Sequence, residues 1–103
     1  MDRMARIMEL LKASPGDPFL EHALALEYIK AGNDAGARQV FENLLGREPG
    51  YVGSYYHLGK LLERTGEKDL ALTWYEKGMA AAKGAGDHHA LGELRAVYDD
   101  LAD

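Results

Sequence analysis

Residues 53–62 read GSYYHLGKLL, and Gly59-Lys60 behind an earlier glycine is the kind of pattern that could cradle a phosphate. A phosphate loop needs four residues between its glycines, so that successive backbone N–H groups converge on the β-phosphate. It also needs Ser or Thr after the lysine to hold magnesium. Here five residues separate Gly53 from Gly59, Leu61 follows Lys60, and no apolar strand leads in. The nucleotide reading fails on its mechanical parts. The four histidines fare no better as a metal site. His88 and His89 are neighbours that diverge on a helix, and no pair has the spacing that sets two imidazoles on one face. The chain has no cysteine, so thiolate ligands and disulfides are unavailable. No serine sits in a nucleophile elbow and no acid–histidine pair stands out. The residues point to no enzyme, no cofactor and no metal.

Charge narrows the partner classes. The formal charge of −5 argues against nucleic acid, because phosphate binding needs a basic face. The acidity is uneven: Asp87 to Asp103 holds five acids and only Arg95 as a base, leaving twelve acids and eleven bases elsewhere. That tail reads as a solvated helix face in preference to a docking site for a basic partner. No apolar run is long enough for a signal peptide or a membrane span, and the segment MDRMARIMELLKASPGD reads as an amphipathic helix. A cytoplasmic location is expected, with protein or peptide as the partner, no nucleic acid and no membrane.

The elements that must hold these residues emerge from a period of 34. At that offset Leu24 falls on Leu58, Ala25 on Gly59, Gly32 on Gly66, Ala37 on Ala71, Phe41 on Tyr75 and Leu45 on Met79. One period earlier, Pro49 falls on Pro15, Phe41 on Ile7, Leu44 on Leu10 and Leu45 on Leu11. Each full unit reads as a helical hairpin. In the first, Asp17 is placed to cap, Pro18 suits the first turn, and Leu20, Leu24 and Tyr28 form an apolar row. Gly32 can supply a left-handed stop. Asn33 or Asp34 then caps a second helix with the stripe Ala37, Val40, Phe41, Leu44 and Leu45, closed at Arg47-Glu48-Pro49-Gly50. The second unit repeats the plan with Tyr55, Leu58, Gly59 and Leu62, a stop at Thr65-Gly66, then Ala71, Trp74, Tyr75, Met79 and Ala82. Met4, Ile7, Met8 and Leu11 mark a preceding half-unit. Asp87 caps a last helix carrying Ala90, Leu94, Val97, Tyr98 and Leu101, with Gly84-Ala85-Gly86 as the loop before it.

The expected architecture is one all-α domain over 1–103, a short solenoid of six helices: a half-repeat helix at 1–17, repeats at 18–51 and 52–85, and a C-terminal capping helix at 86–103. Gly59 then sits in mid-helix, where glycine costs about 1 kcal/mol relative to alanine. Its equivalent is Ala25, and small residues there let two helices approach closely across from Ala37 and Ala71. Trp74 is expected to pack in the core.

The stretch YYHLGKLLERTGEKDLALTWYEKGM, with its 34-residue hairpin, small mid-helix residue, glycine stop and aromatic, resembles the tetratricopeptide repeat. The first unit departs by having Glu21 where Tyr55 stands in the second, and the second has Lys83 where proline commonly closes a unit. The resemblance covers essentially the whole chain. It implies a right-handed stack whose first helices line a concave groove that binds peptides or protein segments without catalysis, as in an adaptor, scaffold or co-chaperone-like protein. The groove-facing residues expected from it are Phe19, His22, Leu26 and Ile29, then Tyr56, His57, Lys60 and Glu63, then His89 and Glu93. A first unit that is apolar beside a polar second one would suit an amphipathic segment with an acidic group near Lys60. The clamp that a well-known subset uses on chaperone carboxyl termini is not kept: its places hold His22, Leu26 and His57, with no base near Asp87 and Ala90. Self-association through the terminal helices, by Met4, Met8 and Leu11 or by Val97 and Leu101, is the alternative, and would make a homo-oligomer.

Overall fold

The computed structural model describes residues 2–103. Its elements are α1 (Arg3–Ala13), α2 (Pro18–Lys30), α3 (Asp34–Arg47), α4 (Gly53–Arg64), α5 (Lys68–Ala85) and α6 (His88–Ala102), with no strand among the described residues. They form two compact units, Met1–Glu48 and Pro49–Asp103. The all-α helical repeat expected from the period is what folds.

In the first unit the local signals act as their chemistry requires. Asp2 accepts from the Ala5 amide and starts α1. Asp17 accepts from the amides of Phe19 and Leu20, with Pro18 at the first helical position where a missing N–H costs nothing. Asn33, one of two candidates, caps α3 through the Gly36 amide. Gly32 stops α2 at φ +80°, a left-handed conformation that only glycine adopts without strain. Ile7, Ala23, Leu24, Ala25, Ala37, Phe41, Leu44 and Leu45 are buried. Met4, Leu11, Tyr28 and Val40 pack around Ile7, Ala23 and Leu24. Arg47 in the last turn of α3 reaches back to the start of α2, donating to Glu21 and, at 3.4 Å, to the Gly16 carbonyl. Met8, which the spacing offers both to the helix of the half-unit and to an end contact, is 39% exposed; Leu10 is 48% exposed, whereas Leu44, one period on, is fully buried.

The second unit buries more of its residues than the first. Ser54, Tyr55, Leu58, Gly59, Leu61 and Leu62 of α4, Ala71, Tyr75, Gly78 and Ala82 of α5, and Leu94 of α6 are buried. No side chain caps α4; instead the Tyr55 hydroxyl ties back to the Pro49 carbonyl. Gly66 stops α4 at φ +83°. The loop expected at Gly84-Ala85-Gly86 is shorter than that. With Lys83 in place of a proline, nothing breaks the ladder, and α5 runs 18 residues to Ala85 before Gly86 turns it at φ +69°. Asp87 then caps α6 through the Ala90 amide.

Gly59 explains the close approach of α4 and α5, through a neighbour other than the one the spacing suggested. A Cβ there would lie 2.1 Å from Cε1 of Tyr75 and 2.6 Å from its Cδ1 and Cζ. The ring of Tyr75, more than the small Ala71, needs the missing methyl. Gly78 serves the same end: its Cβ would stand 2.6 Å from Cβ of Tyr55 and 3.0 Å from Cδ1 of Leu94, so one glycine lets α5 meet both α4 and α6.

Candidate functional site

In the first unit, α2 has the sequence PFLEHALALEYIK, apolar around most of its circumference. A helix with apolar residues on every side needs cover on every side. The buried Ala23, Leu24 and Ala25 have it. Leu26 and Ile29 are half-buried, and Phe19 is 69% exposed, the most exposed large apolar side chain among the described residues. Its flanking charges are already paired: Glu21 with Arg47, and Glu27 with Arg3 at 3.2 Å and Lys30 at 3.9 Å. His22 is half-buried and meets the Phe41 ring edge-on, centroids 5.8 Å apart. Phe19, His22, Leu26 and Ile29 therefore make an apolar strip with one aromatic ring standing in solvent.

In the second unit the matching strip is polar. Tyr56, His57, Lys60 and Glu63 are all half-buried along α4. The buried Tyr75 ring, passing over Gly59, delivers its hydroxyl to Glu63 Oε2, and Lys60 Nζ stands 3.5 Å from the same oxygen. Burial, then the hydrogen bond to Glu63, raise the Tyr75 pKa well above the ordinary tyrosine range, so the hydroxyl stays protonated and donating. Lys60, expected to await an acidic ligand group, is thus engaged with a carboxylate of its own helix. Tyr56 packs edge-on against His57, centroids 5.6 Å apart. On α6, exposed His89 and Glu93 pair with each other at 3.3 Å, and Glu93 also acts across on His57. Burial lowers the pKa of His57 and Glu93 partly offsets this. The structure thus brings Tyr56, His57, Lys60, Glu63, His89 and Glu93 into relation within one unit, and Phe19, His22, Leu26 and Ile29 within the other. Trp74 is half-buried, packed on Tyr55 at 6.1 Å between centroids, with the Lys77 ammonium 4.6 Å from its centroid.

Two participants escaped the sequence reading. Tyr75 was assigned to core packing alone, yet its hydroxyl shapes the surface. Its period mate Phe41 lacks that group, and the difference was the available signal. Gly78 stood in a helix with no obvious demand for a small residue, because the demand comes from Tyr55 and Leu94 together. Among the described residues no three His, Asp or Glu side chains gather as a metal site, and no helix is long and apolar enough to cross a membrane.

Comparison with known proteins agrees with this architecture. The sequence profile described as tetratricopeptide repeat matches residues 52–83. A solution structure of a tetratricopeptide repeat domain protein from Salinibacter ruber is 41% identical, with 84% of this chain and 88% of that one covered at a TM-score of 0.81. A crystal structure of a tetratricopeptide repeat domain protein from the same organism is likewise 41% identical, covering 84% and 96% at 0.80. A protein from Bordetella parapertussis, 25% identical, covers 99% of this chain and 89% of its own at 0.84. No curated protein matches the chain. Helical hairpins repeated at 34 residues, a small residue beneath an aromatic in the second unit, and relatives at 41% identity over most of both chains converge: the chain belongs to the tetratricopeptide repeat family.

Proposed function

We propose that this protein is a non-catalytic cytoplasmic adaptor that binds a peptide or protein segment on the exposed faces of its first helices, with Phe19, His22, Leu26 and Ile29 supplying apolar contact. Tyr56, His57, Lys60, Glu63, His89 and Glu93 supply polar contact. The observation that carries this reading is Phe19: a phenyl ring 69% exposed at the head of an apolar strip, with the charges beside that strip neutralised inside the protein. Exposed aromatics of this kind gain most from desolvation by a partner. A preformed helical surface adds to that gain, because it loses little conformational entropy when a ligand docks. Membership of the family supports an interaction role, since the fold is generally used for binding.

The test is selection from a display library of short random peptides on the immobilised protein, followed by calorimetry on the winners. Peptides carrying apolar residues are expected, with affinity reduced about tenfold or more by Phe19→Ser combined with Leu26→Ser. Phe19 is exposed and Leu26 half-buried, so circular dichroism should show the helices intact. Failure to select any peptide, or equal binding by the double variant, would remove this surface from the function.

A further inference from the structure

Four positions change together between the two units. Ala25, Leu26, Ile29 and Phe41 of the first stand, one period on, as Gly59, Lys60, Glu63 and Tyr75 in the second. The four substitutions form one physical object. Losing the methyl at 59 admits the Tyr75 ring, the ring carries a hydroxyl to Glu63, and Lys60 closes on the same carboxylate oxygen. A glycine in mid-helix is less favourable than an alanine, so this arrangement is held against a local cost.

Its outward chemistry follows from which atoms are used. Both the tyrosine hydroxyl and the lysine approach Glu63 Oε2, and a carboxylate has about four lone-pair sites, more than these two donors fill. Lys60 Nζ has three hydrogens and one partner carboxylate, and its side chain is 44% exposed. The surface therefore offers a fixed acceptor beside a fixed donor, with no net charge between them. A ligand carboxylate would gain Lys60 but meet Glu63, with Glu93 as a further acid of this unit. A guanidinium or ammonium would gain Glu63 but meet Lys60. A neutral carboxamide satisfies both members at once, its NH₂ donating to the Glu63 carboxylate and its oxygen accepting from Nζ.

We propose that Lys60 and Glu63, positioned by the Tyr75 hydroxyl, form a subsite that selects an asparagine or glutamine side chain in the bound segment. This rests on the peptide-binding reading above and names the chemistry of one of its contacts. Tyr75 is a positioning residue here: it fixes the carboxylate and touches no ligand.

The same peptide selection tests it separately. Selected peptides should share Asn or Gln at one position. Replacing that residue by Glu or by Lys should weaken binding about tenfold, the scale of one hydrogen bond to a charged group. Lys60→Met and Glu63→Gln should each erase the preference while apolar preferences elsewhere in the peptide persist. Tyr75→Phe should reduce the discrimination without abolishing binding. A consensus acid or base at that position overturns the carboxamide assignment, as does indifference of the preference to Lys60→Met and Glu63→Gln, while either leaves peptide binding standing. Selection of no peptide at all overturns both.

Discussion

The two hairpins solve one packing problem in opposite ways. In the first, Ala25 lies one period before Gly59 and Phe41 one period before Tyr75, while Glu21 and Leu44 correspond to Tyr55 and Gly78. At these two places, where the second unit enlarges a side chain on one helix, it shrinks one on the facing helix. Tyr55 sits against Gly78, and Tyr75 lies over Gly59. Total volume is traded between helices, as close-packed interiors demand. The trade has a chemical result. Both tyrosines bring hydroxyls that must find acceptors: one finds the Pro49 carbonyl and the other Glu63. The first unit, built on Phe41 and Leu44, has no such hydroxyl at either place and presents Leu26 and Ile29 instead.

The comparison breaks most sharply at Gly59→Ala. Alanine is the better helix former by about 1 kcal/mol, but its methyl would overlap a buried ring, so a net loss of about 2–3 kcal/mol is expected in denaturant unfolding. Added stability would mean that the ring is free to move and that Gly59 has another explanation. Gly78→Ala should follow at about 2 kcal/mol, since its methyl would meet Tyr55 at 2.6 Å, a milder overlap than the 2.1 Å at Gly59. Hydrogen exchange in α6 should rise with it, because Leu94 meets the same methyl; unchanged protection there would uncouple Gly78 from α6.

Tyr75→Phe sharpens the comparison by converting the second unit toward the first. It should cost about 1 kcal/mol, a single hydrogen bond to a partly solvated carboxylate. More informative is the double variant with Gly59→Ala. Freed from Glu63, the phenyl ring can shift to make room for the methyl, giving the Ala and Phe pairing that the first unit holds at positions 25 and 41. The double change should then be milder than the sum of the singles, and strict additivity would show that the hydroxyl does not pin the ring.

The smallest effect concerns pH. His57 has a folded-state pKa below the ordinary value near 6.5, so the unfolded chain binds its proton first. The stability due to neutral His57 is present above about pH 6.5 and declines as pH falls through the folded value. Glu93→Gln should depress the His57 pKa further in an NMR titration, by removing a carboxylate that favours the imidazolium. A rise, or no change, would place Glu93 too far away to matter.

Helix number, caps at Asp17, Asn33 and Asp87, and stops at Gly32 and Gly66 were legible because each rests on local chemistry written in a few adjacent residues. The buried stripes were legible through the period, which averages over two copies. What stayed hidden depended on contacts between helices. Leu10 falls on Leu44 by the period, yet Leu10 lies exposed and Leu44 is buried. Ser54, which no spacing argument singles out, is fully buried, and nothing near Gly78 in the chain announces the overlap with Tyr55 and Leu94 that it avoids. The candidate surface followed the same rule. The membership of α2 and α4 faces could be listed from spacing, but the link from Tyr75 to Glu63 joins positions twelve residues apart on different helices.

Gly59 beneath Tyr75 also imposes an order on sequence change. A chain moving from the polar hairpin toward the apolar one cannot take its steps at will. Acquiring the methyl first leads through an overlapped ring, whereas losing the hydroxyl first leads through a mild intermediate that the methyl can then join. The reverse journey retraces it, losing the methyl first and passing through the same methyl-free, hydroxyl-free hairpin before the hydroxyl arrives. Two repeats that differ by only a few side chains are thereby joined by one open route while the other is barred, so the order of the changes is constrained although their direction is not.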